Sequence, residues 1–457
     1  WATTCSAGSL PQEPQDRRLG PAVLPLRLAA ERQERGMIEL ADALALVEAT
    51  AEPLPPRRQR LLEACGQRLA APIVADVDSP PWNRAMMDGF AVCDADFGTT
   101  VEQTVELDVR IDLAAGDVTS LAIRPGICAR IMTGAPLPPG ADAIVPIERA
   151  VDGTAGAHAG SRVRLREETF RPGQHVGRRA AAFQAGSAVL PAGARLDAAA
   201  VGLAAEAGAT HVLAVPRVRV AILSTGSELV PCEETPGYGQ TRNSNGPMLA
   251  AGVTQLGAEP ILLGIALDSP EPLRAAVAQG LAADVLLLSG GVSAGDRDLV
   301  PGILAACGVE RVFHKVRLKP GKPIWFGILR RPAAAPTLVF GLPGNPASSL
   351  VCFELFARPA IQILAARPRA DWHLLRTRAL LVASVKAAAD RPVFLPCRLR
   401  PVGPQMEAEP LPWTGSSDLL GLASAAAIAG ASPGLIVLPA GAGRVEAGSE
   451  VEVVIRG

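Results

Sequence analysis

The segment from residue 217 to about 366 constrains the fold most, because apolar runs with strand character alternate there with helical runs. VRVAILSTG, DVLLLSGG and TLVFGLPGNP are three of the apolar runs, and EPLRAAVAQGLA is one of the helical runs between them. Strands joined by helices pair in parallel, since each helix carries the chain back to the starting end of the sheet. The pattern therefore predicts an α/β unit with a doubly wound, mostly parallel sheet.

Different patterns flank this segment. Residues 37–216 combine helical spacing with short runs that Gly and Pro interrupt, which predicts an elongated amino-terminal α+β region of two nested domains. Residues 374–457 lose helical spacing, and runs such as GLIVLPA and SEVEVVIRG predict strands of a small β-barrel or sandwich. We therefore expect a multidomain protein of the α/β plus β class.

Residues 1–36 differ from everything that follows them. They begin with Trp, contain many Pro, Gln and Arg residues, and lack the apolar core of a secretory signal. Helical spacing starts after Met37. We expect residues 1–36 to be a disordered extension or a misassigned upstream sequence, and no functional prediction depends on them.

The composition excludes several classes of function. The net charge of −1 provides no overall field that would attract nucleic acid or an anionic membrane. No uninterrupted apolar run reaches the roughly 18 residues of a membrane span. The 8 Cys and 5 His residues are dispersed, with no C-x-x-C or H-E-x-x-H pattern. We therefore expect a cytoplasmic protein without a disulfide framework, in which any anion site is local.

The distribution of lysine indicates such a local site. Of 44 basic residues only four are lysines, and Lys315, Lys319 and Lys322 all lie in the stretch HKVRLKPGKPIWFG, residues 314–327. A basic loop is usually a solvated surface. In a chain that uses arginine almost everywhere else, and in a turn stiffened by two prolines, the cluster favours an anion-binding function.

Three glycine-containing turns follow predicted strands: STGSEL, SGGVSAGDRD and GLPGNPASS. The carboxyl ends of parallel strands meet at one edge of a sheet, where backbone N–H groups and helix N-termini bind anions. One such turn is often only a tight turn, but three at corresponding positions predict a binding edge. The turn residues that we expect to contact a substrate are Thr225, Gly226, Ser227, Gly290, Gly291, Ser293, Pro343, Gly344 and Asn345.

Carboxylates follow the same strands. Glu228, Asp268, Asp296 and Asp298 could converge on Mg²⁺ that bridges phosphate oxygens. Asp268 precedes the helical segment SPEPL, so it could instead cap a helix. Together with the lysines, the acids predict a site for a phosphorylated ligand and a metal ion.

The motifs STGSEL, SGGVSAGDRD, LKPGKP and GLPGNP, in this order, resemble those of the molybdopterin molybdenumtransferase family, which includes the carboxyl-terminal part of gephyrin. NRAMMDGFAV at 83–92, RIMTGAPLPPGADAIV at 130–145 and GSSDLL at 415–420 are similar to further motifs of that family. The similarity extends over about residues 37–457.

The resemblance implies an elongated homodimer with an active cleft between the subunits, in which residues 217–366 form the molybdopterin-binding domain. It also implies the reaction: molybdate is inserted into the dithiolene of adenylated molybdopterin, and AMP is released, usually with Mg²⁺. Transient contact with the protein that adenylates the pterin is implied as well. The residues agree with this chemistry, because a tetrahedral dianion is bound by Lys, Arg, hydroxyl and backbone N–H donors.

The matched motifs also imply roles for individual residues. The residues implied around molybdate are Lys319, Lys322, Pro323, Arg391 and Ser416, with Lys315 as a supporting contact to a phosphate from within the preceding strand. Glu228, Asp268 and Asp298 would hold or orient the metal ion and the hydrolytic water. Asp88 and Thr133 would reach the cleft from the other subunit.

Each of these roles has a simpler alternative. Asp88 and Thr133 each precede a glycine, which is typical of ordinary turns. Ser416 could cap a helix, and Arg391 could be one of many surface arginines. Only the set as a whole favours the catalytic interpretation.

The sequence departs from the family's pattern at several positions. Ala180-Ala181-Ala182 stands where the family usually has Gly-Glu-Asp, Asn243 stands where Asp is common, and Gly246 and Pro396 replace arginines, although Arg398 lies near the second. These changes leave two further hypotheses. One is a weak or inactive paralogue that binds molybdopterin as a carrier or scaffold, and the other is a generic nucleotide-binding domain.

Overall fold

The computed structural model describes residues 37–97, 103–292, 299–332, 334–424 and 430–456. These residues form two compact units. The insert unit contains residues 57–214, and the main unit contains the described residues on either side of it. The predicted division into four regions stays a prediction, but the helix that precedes residue 57 belongs to the main unit.

Short helices and strands alternate along most of the described chain. The helices are α1 Leu40–Thr50, α2 Ala198–Glu206, α3 Asn245–Gln255, α4 Pro270–Gly280, α5 Val300–Ala306, α6 Pro346–Cys352, α7 Arg358–Leu364 and α8 Leu419–Ala423, with a π-helical turn Phe353–Ala357 between α6 and α7. The strands of the first part of the chain are β1 Arg57–Arg60, β2 Arg68–Leu69, β3 Ile73–Val74, β4 Arg84–Ala85, β5 Gly89–Val92, β6 Gln103–Leu113, β7 Ile127–Ile131, β8 Ala143–Pro146, β9 Arg162–Glu167, β10 Val176–Gly177, β11 Ala188–Leu190 and β12 His211–Val215. The later strands are β13 Arg219–Thr225, β14 Leu229–Val230, β15 Thr241–Arg242, β16 Glu259–Ala266, β17 Val285–Ser289, β18 Glu310–His314, β19 Trp325–Arg331, β20 Ala334–Leu342, β21 Arg376–Leu381, β22 Val385–Lys386, β23 Val393–Val402, β24 Gln405–Pro410, β25 Ser432–Leu438, β26 Arg444–Val445 and β27 Glu450–Ile455.

A mixed sheet organises the main unit. In the described residues its strand order is β16-β13-β17-β20-β19-β18. The first four strands are parallel, as the alternating pattern predicts, whereas β19 runs antiparallel to both of its neighbours, β20 and β18. The pattern did not predict the antiparallel pair. Only two residues separate β19 from β20, and such a short link permits hairpin pairing but not a parallel crossover.

Both faces of this sheet are covered. On β13, Val220 and Ile222 pack into one hydrophobic cluster, which also contains residues of α1, α3, α6 and α7. The intervening Ala221 and Leu223 pack into a second cluster with residues of α4 and α5. Successive side chains of a strand point to opposite faces, so this division means that helices lie on both sides, as predicted for a doubly wound sheet.

The register of the parallel strands aligns their carboxyl ends. Ser224 of β13 is level with Ser289 of β17, which is level with Leu342 of β20. Thr225 is level with Ala266, the last residue of β16. The predicted glycine turns therefore begin at one common edge of the sheet.

A closed barrel forms the carboxyl-terminal part of the main unit. Within the described residues its strands follow the order β21-β24-β23-β25-β27, which confirms the barrel alternative of the prediction. Phe394, Leu435 and Val454 of the barrel are buried in the cluster that lies under the main sheet. The barrel and the α/β part thus share a hydrophobic core.

One buried helical run bears on the expectation about membrane spans. Among the described residues, Pro346–Leu364 is a 19-residue helical run that is long and apolar enough to cross a membrane, but 94% of it is buried inside the protein. Burial of this kind is typical of a core helix. Glu354 and Arg358 interrupt the apolar run in the sequence, and they form an ion pair of 2.5 Å one helical turn apart.

The insert unit contains more than one hydrophobic core. Strands β8-β5-β7-β6-β9 form a sheet that buries Phe90, Val145 and Leu165 completely. A separate cluster contains residues of β2, β12 and α2. This arrangement agrees with an α+β region, and the finer division into nested domains stays a prediction.

Ala180 generates a prediction about stability. Its φ is 61°, a left-handed conformation that costs an L-residue with a Cβ about 1–2 kcal/mol. We expect Ala180→Gly to stabilise the protein by about 0.5–1 kcal/mol, since the relief of strain exceeds the entropy that glycine adds to the unfolded chain. Urea unfolding measures the change. Ala181→Gly is the matched control, because Ala181 has no positive φ, and it should destabilise; equal effects of the two changes would contradict the prediction.

Candidate active site

A cleft of about 660 Å³ lies at the carboxyl edge of the main sheet. We call it the edge cleft. The predicted site residues that line it are Thr225, Gly226, Glu228, Asp268, Gly290, Gly291, Pro323, Pro343, Gly344 and Asn345. Residues of all three glycine turns and two of the predicted acids are therefore brought together. Ser293, Asp296 and Asp298 lie outside the described residues, so their predicted roles stay predictions.

The turn after β17 requires a glycine at position 290. The φ of Gly290 is 97°, and a Cβ at this position would lie 2.5 Å from the carbonyl oxygen of Thr225. Any side chain would therefore separate the two neighbouring turns. Their backbones approach closely at the floor of the edge cleft, where Gly290 N donates to the Leu342 carbonyl at 3.1 Å and Gly226 N donates to the Ala266 carbonyl at 3.3 Å.

Two buried polar atoms of the cleft have no hydrogen-bond partner in the described residues: Thr225 Oγ1 and Asn245 Oδ1. The other end of the Asn245 amide is held in place, because Nδ2 donates to Ser289 Oγ at 2.7 Å and to the Gly344 carbonyl at 2.8 Å. Buried polar atoms without partners are rare and suit a ligand that completes their hydrogen bonds. Sequence reasoning assigned no role to Asn245, although it lies between Asn243 and Gly246, where the sequence departs from the family's pattern.

Asp268 does not cap a helix. Helix α4 begins after Ser269, and the Asp268 carboxylate instead accepts a hydrogen bond from Ser227 N at 3.2 Å. In return, Asp268 N donates to Ser227 Oγ at 3.4 Å. These bonds connect two neighbouring turns of the sheet edge, so the capping alternative is wrong. They also account for Ser227, which supports Asp268 and does not itself line the edge cleft.

The residues present fit a divalent cation. Glu228 and Asp268 are both exposed and both line the edge cleft. Mg²⁺ in proteins is commonly held by one or two carboxylates together with substrate phosphates and water. Two exposed carboxylates that line the same cleft meet that description.

A second cavity, of about 560 Å³, adjoins the first, and we call it the lysine pocket. Its lining includes the whole set that the resemblance implies around molybdate: Lys319, Lys322, Pro323, Arg391 and Ser416. Pro323, Pro343 and Asn345 line both cavities. The two predicted subsites are therefore neighbours.

Backbone hydrogen bonds bring the barrel to the lysine loop. Lys319 N donates to the Pro392 carbonyl at 3.0 Å, and Phe394 N donates to the Lys319 carbonyl at 2.8 Å. These bonds fix Arg391, which precedes Pro392, beside Lys319. The sequence pattern did not predict that the lysine loop pairs with this segment of the barrel.

Ser416 is fixed in a similar way. Its carbonyl accepts hydrogen bonds from Ala347 N at 3.0 Å and from Ser348 N at 3.3 Å, in the first turn of α6. Its hydroxyl accepts a bond from Asn345 Nδ2 at 2.8 Å. Ser416 thus caps α6 through its backbone, while the side-chain cap of the nearby α8 is Asp418. The hydroxyl remains at the wall of the lysine pocket.

Lys315 lies elsewhere. Strand β18 ends at His314, so Lys315 follows the strand instead of lying within it as predicted. Its φ is 67°, its N donates to the Ile324 carbonyl at 2.9 Å, and its carbonyl accepts from Ile38 N at 3.1 Å. It lines neither cavity, and its supporting contact to a phosphate stays a prediction.

The insert unit brings Asp88 and Thr133 together. Asp88 Oδ1 accepts hydrogen bonds from Thr133 N at 2.7 Å and from Thr133 Oγ1 at 2.8 Å. The backbone bond from Thr133 lowers the pKa of Asp88 most, the hydroxyl bond adds to this, and the charge of Arg130 contributes a smaller part. Turn segments far apart in sequence thus form one exposed, anionic site.

The departures from the family's pattern have identifiable surroundings. Asn243 Oδ1 accepts bonds from Ser224 Oγ at 2.9 Å and Gly246 N at 3.0 Å, and Asn243 lines the edge cleft. Arg398 pairs with Glu409 on the neighbouring strand at 2.9 Å and lines neither cavity. Arg398 therefore does not take the place of the arginine that the family usually has at position 396.

Comparison with known proteins supports the resemblance. Family models described as "MoeA N-terminal region (domain I and II)", "Probable molybdopterin binding domain" and "MoeA C-terminal region (domain IV)" match residues 38–208, 221–363 and 378–455. A protein of Synechococcus elongatus named molybdopterin molybdenumtransferase is 32% identical over 418 residues, which cover 90% of this chain and 98% of that protein. The chain belongs to the molybdopterin molybdenumtransferase family. The family, which acts in molybdenum cofactor biosynthesis, was thus identified correctly from its motifs.

Further relatives extend the comparison. A molybdopterin molybdenumtransferase of Nostoc sp. is 40% identical over 306 residues, 66% of this chain and 68% of that protein. The crystal structure of a molybdopterin biosynthesis MoeA protein from Pyrococcus horikoshii superimposes with a TM-score of 0.71 at 27% identity, over 92% of this chain and 100% of that one. The fold of the family therefore extends over almost the whole chain.

The hydrogen bonds of Asp88 generate a prediction about pH. Because the folded-state pKa lies below the unfolded value of about 3.9, the carboxylate stabilises the fold above that pH and the contribution is lost as the pH falls through the folded pKa. We expect the difference in Tm between the wild type and Asp88→Asn to shrink as the pH is lowered from about 6 to about 3. Thermal unfolding of the full chain measures it. Thr133→Val, which keeps the backbone donor, should retain part of the pH dependence, and a difference that stays constant with pH would contradict the assignment.

Proposed function

We propose that this protein inserts molybdate into adenylated molybdopterin and releases AMP. The observation that carries the proposal is that the edge cleft and the lysine pocket adjoin and share lining residues. A phosphorylated pterin in the first cavity could place its dithiolene next to an oxyanion in the second. Holding both reactants in such a geometry supplies much of the catalysis in a group transfer of this kind.

The edge cleft is proposed to bind the pterin and its phosphates. The glycine turns after β13 and β17 line this cleft, and because Gly226, Gly290 and Gly291 have no side chains, phosphate oxygens could approach the backbone closely. Thr225 Oγ1 and Asn245 Oδ1, which have no partner in the described residues, would exchange hydrogen bonds with the ligand. Asn245 Oδ1 is an acceptor and therefore suits an N–H group of the pterin more than a phosphate.

The lysine pocket is proposed to bind molybdate. Lys319, Lys322 and Arg391 supply positive charge, and the Ser416 hydroxyl supplies a further donor. In the part of the chain that the structure describes, neither lysine has a carboxylate within the 4.0 Å of an ion pair. Both lysines are exposed, so their ammonium groups could contact a dianion. They would orient one molybdate oxygen to leave as water, with the protons of the two dithiolene thiols, as both sulfur atoms bond to molybdenum.

The proposal includes Mg²⁺ at the edge cleft. Glu228 and Asp268 would hold the ion, and Asp296 and Asp298 would add to the site. When bound, Mg²⁺ would neutralise charge on the pyrophosphate that links AMP to the pterin. The shared lining of the edge cleft by the glycine turns and the two acids supports this position for the pyrophosphate.

We also propose that the protein works as an elongated homodimer in the cytoplasm. In this arrangement the Asp88–Thr133 pair of one subunit would complete the cleft of the other, and the adenylating protein would bind transiently to deliver the pterin. The observation that supports the role of the pair is its exposure: Thr133 holds the Asp88 carboxylate ionised at the surface instead of burying it.

The second candidate is a carrier or scaffold that binds molybdopterin without completing the insertion. Two observations favour it: Ala181 and Ala182 supply no carboxylate, and Arg398 is paired with Glu409 and therefore not available to an anion. A carrier should bind the pterin tightly without turnover. In that case Ala181→Glu combined with Ala182→Asp should raise the rate of AMP release.

AMP release tests the proposed function directly. With adenylated molybdopterin, molybdate and Mg²⁺, we expect release by the wild type and a loss of about 100-fold or more in Lys322→Ala, because a charge that stabilises the reacting oxyanion is removed. Lys386→Ala is the matched control, since Lys386 is exposed on β22 of the barrel and lines neither cavity. A wild type no faster than Lys322→Ala would overturn the proposal, and equal losses in both variants would show that the effect is not local.

Thr225→Val tests the role of the unpartnered hydroxyl. The valine has nearly the same shape and removes a buried oxygen that has no partner, so we expect Tm to rise, by an amount that corresponds to about 1 kcal/mol. The affinity for adenylated molybdopterin, measured by calorimetry, should fall at the same time. Greater stability together with unchanged affinity would mean that Oγ1 does not contact the ligand.

A further inference from the structure

The lysine pocket contains a negative charge that an oxyanion site does not need. Its charged lining residues are Lys319, Lys322, Asp390 and Arg391. Asp390 is paired with Arg391: Nε of the arginine donates to both carboxylate oxygens at 3.1 Å, and Nη2 donates to Oδ2 at 2.7 Å. One of the three cations of the pocket is thus already neutralised by its neighbour in sequence.

The pairing uses a particular edge of the guanidinium. The Nε and Nη2 groups form one of the edges that bind two oxygens of a carboxylate or phosphate at once. A tetrahedral oxyanion that approached this edge would compete with Asp390 for the same donors. Competition is possible because both side chains are accessible, with 24% of Arg391 and 49% of Asp390 exposed.

The surrounding backbone keeps the pair in the pocket. Pro392, which follows Arg391, accepts a hydrogen bond from Lys319 N at 3.0 Å, and Phe394 N donates to the Lys319 carbonyl. These bonds hold the backbone of the Asp390–Arg391 pair close to that of Lys319. The carboxylate is ionised at neutral pH, since the hydrogen bonds from Arg391 hold the pKa of Asp390 below its usual value, and the charges of Arg391 and Arg317 lower it further.

We propose that Asp390 is an internal counter-anion that lowers the affinity of the lysine pocket for tetrahedral oxyanions, because molybdate must displace its carboxylate from Arg391. The inference rests on the proposed function, since it takes molybdate as the ligand. Asp390 acts through Arg391 and is a positioning residue. The expected kinetic consequence is a higher KM for molybdate with little change in kcat, because ground state and transition state lose the same contact.

Binding of molybdate to the full chain without pterin tests the proposal. Calorimetry should show that Asp390→Asn binds molybdate about fivefold more tightly than the wild type, as expected when one exposed like charge is removed. Asp390→Glu keeps the charge and should remain near the wild type. In the background of Arg391→Lys, which lacks the two-donor edge, the gain from Asp390→Asn should be smaller.

A matched control separates this effect from a general change of charge. Glu450→Gln also removes a carboxylate that faces an arginine of the barrel, at 3.6 Å from Arg378, but it lies outside the lysine pocket and should leave molybdate affinity unchanged. Equal or weaker binding by Asp390→Asn would overturn the proposal. So would an equal gain in Glu450→Gln, or the absence of molybdate binding in every variant.

AMP release is measured separately, so that the two proposals can fail independently. Asp390→Asn should lower KM for molybdate at nearly constant kcat. If Asp390→Asn tightens molybdate binding but no variant releases AMP, the proposed function fails and the counter-anion remains. If AMP is released and Asp390→Asn changes neither the affinity for molybdate nor its KM, only the proposal about Asp390 is overturned and the proposed function stands.

Discussion

The parallel register of β16, β13, β17 and β20 is the constraint on which the candidate site depends. Because Ser224, Ser289 and Leu342 are level with one another, the turns that follow these strands leave the sheet at one edge. A shift in the register would separate the glycine turns and the acids that follow them. The buried alternation on both faces of β13 fixes that register, since each strand is held by hydrophobic contacts above and below. The edge cleft is therefore a consequence of how the core packs.

The candidate site also depends on the attachment of the barrel to the α/β part. The lysine pocket takes Lys319 and Lys322 from a loop of the α/β part, and Arg391 and Ser416 from two segments of the barrel region. Backbone hydrogen bonds join each barrel segment to the α/β part, at Lys319 and at the first turn of α6. Backbone bonds do not depend on the identity of the side chains. Pro396, at which the sequence departs from the family's pattern, does not line the pocket.

The departures act on charge more than on the fold. Asn243 makes two hydrogen bonds with its amide oxygen that an aspartate could make as well, so the start of α3 is held without the negative charge. Ala180 adopts a left-handed conformation that a glycine would adopt without strain. Arg398 forms an ion pair with Glu409, and Arg391 forms one with Asp390. The chain thus retains the fold of its family, although it lacks charged side chains at positions 180–182, 243 and 396.

The sequence by itself determined the parallel strands, the short carboxyl-terminal strands, the glycine turns and the clustering of lysine, because periodicity and turn residues report local burial and local backbone conformation. It also carried enough motifs to identify the family. The tertiary structure decided that the short strands close into a barrel and do not form a sandwich. The tertiary structure alone decided that β18 and β19 run antiparallel, that Asp268 is held by Ser227 instead of capping α4, and that Thr225 and Asn245 keep buried atoms without partners in the described residues. It also decided that Asp390 occupies Arg391. Such pairings depend on where loops from distant parts of the chain come to rest, and only the packed core and the backbone bonds between segments fix those positions.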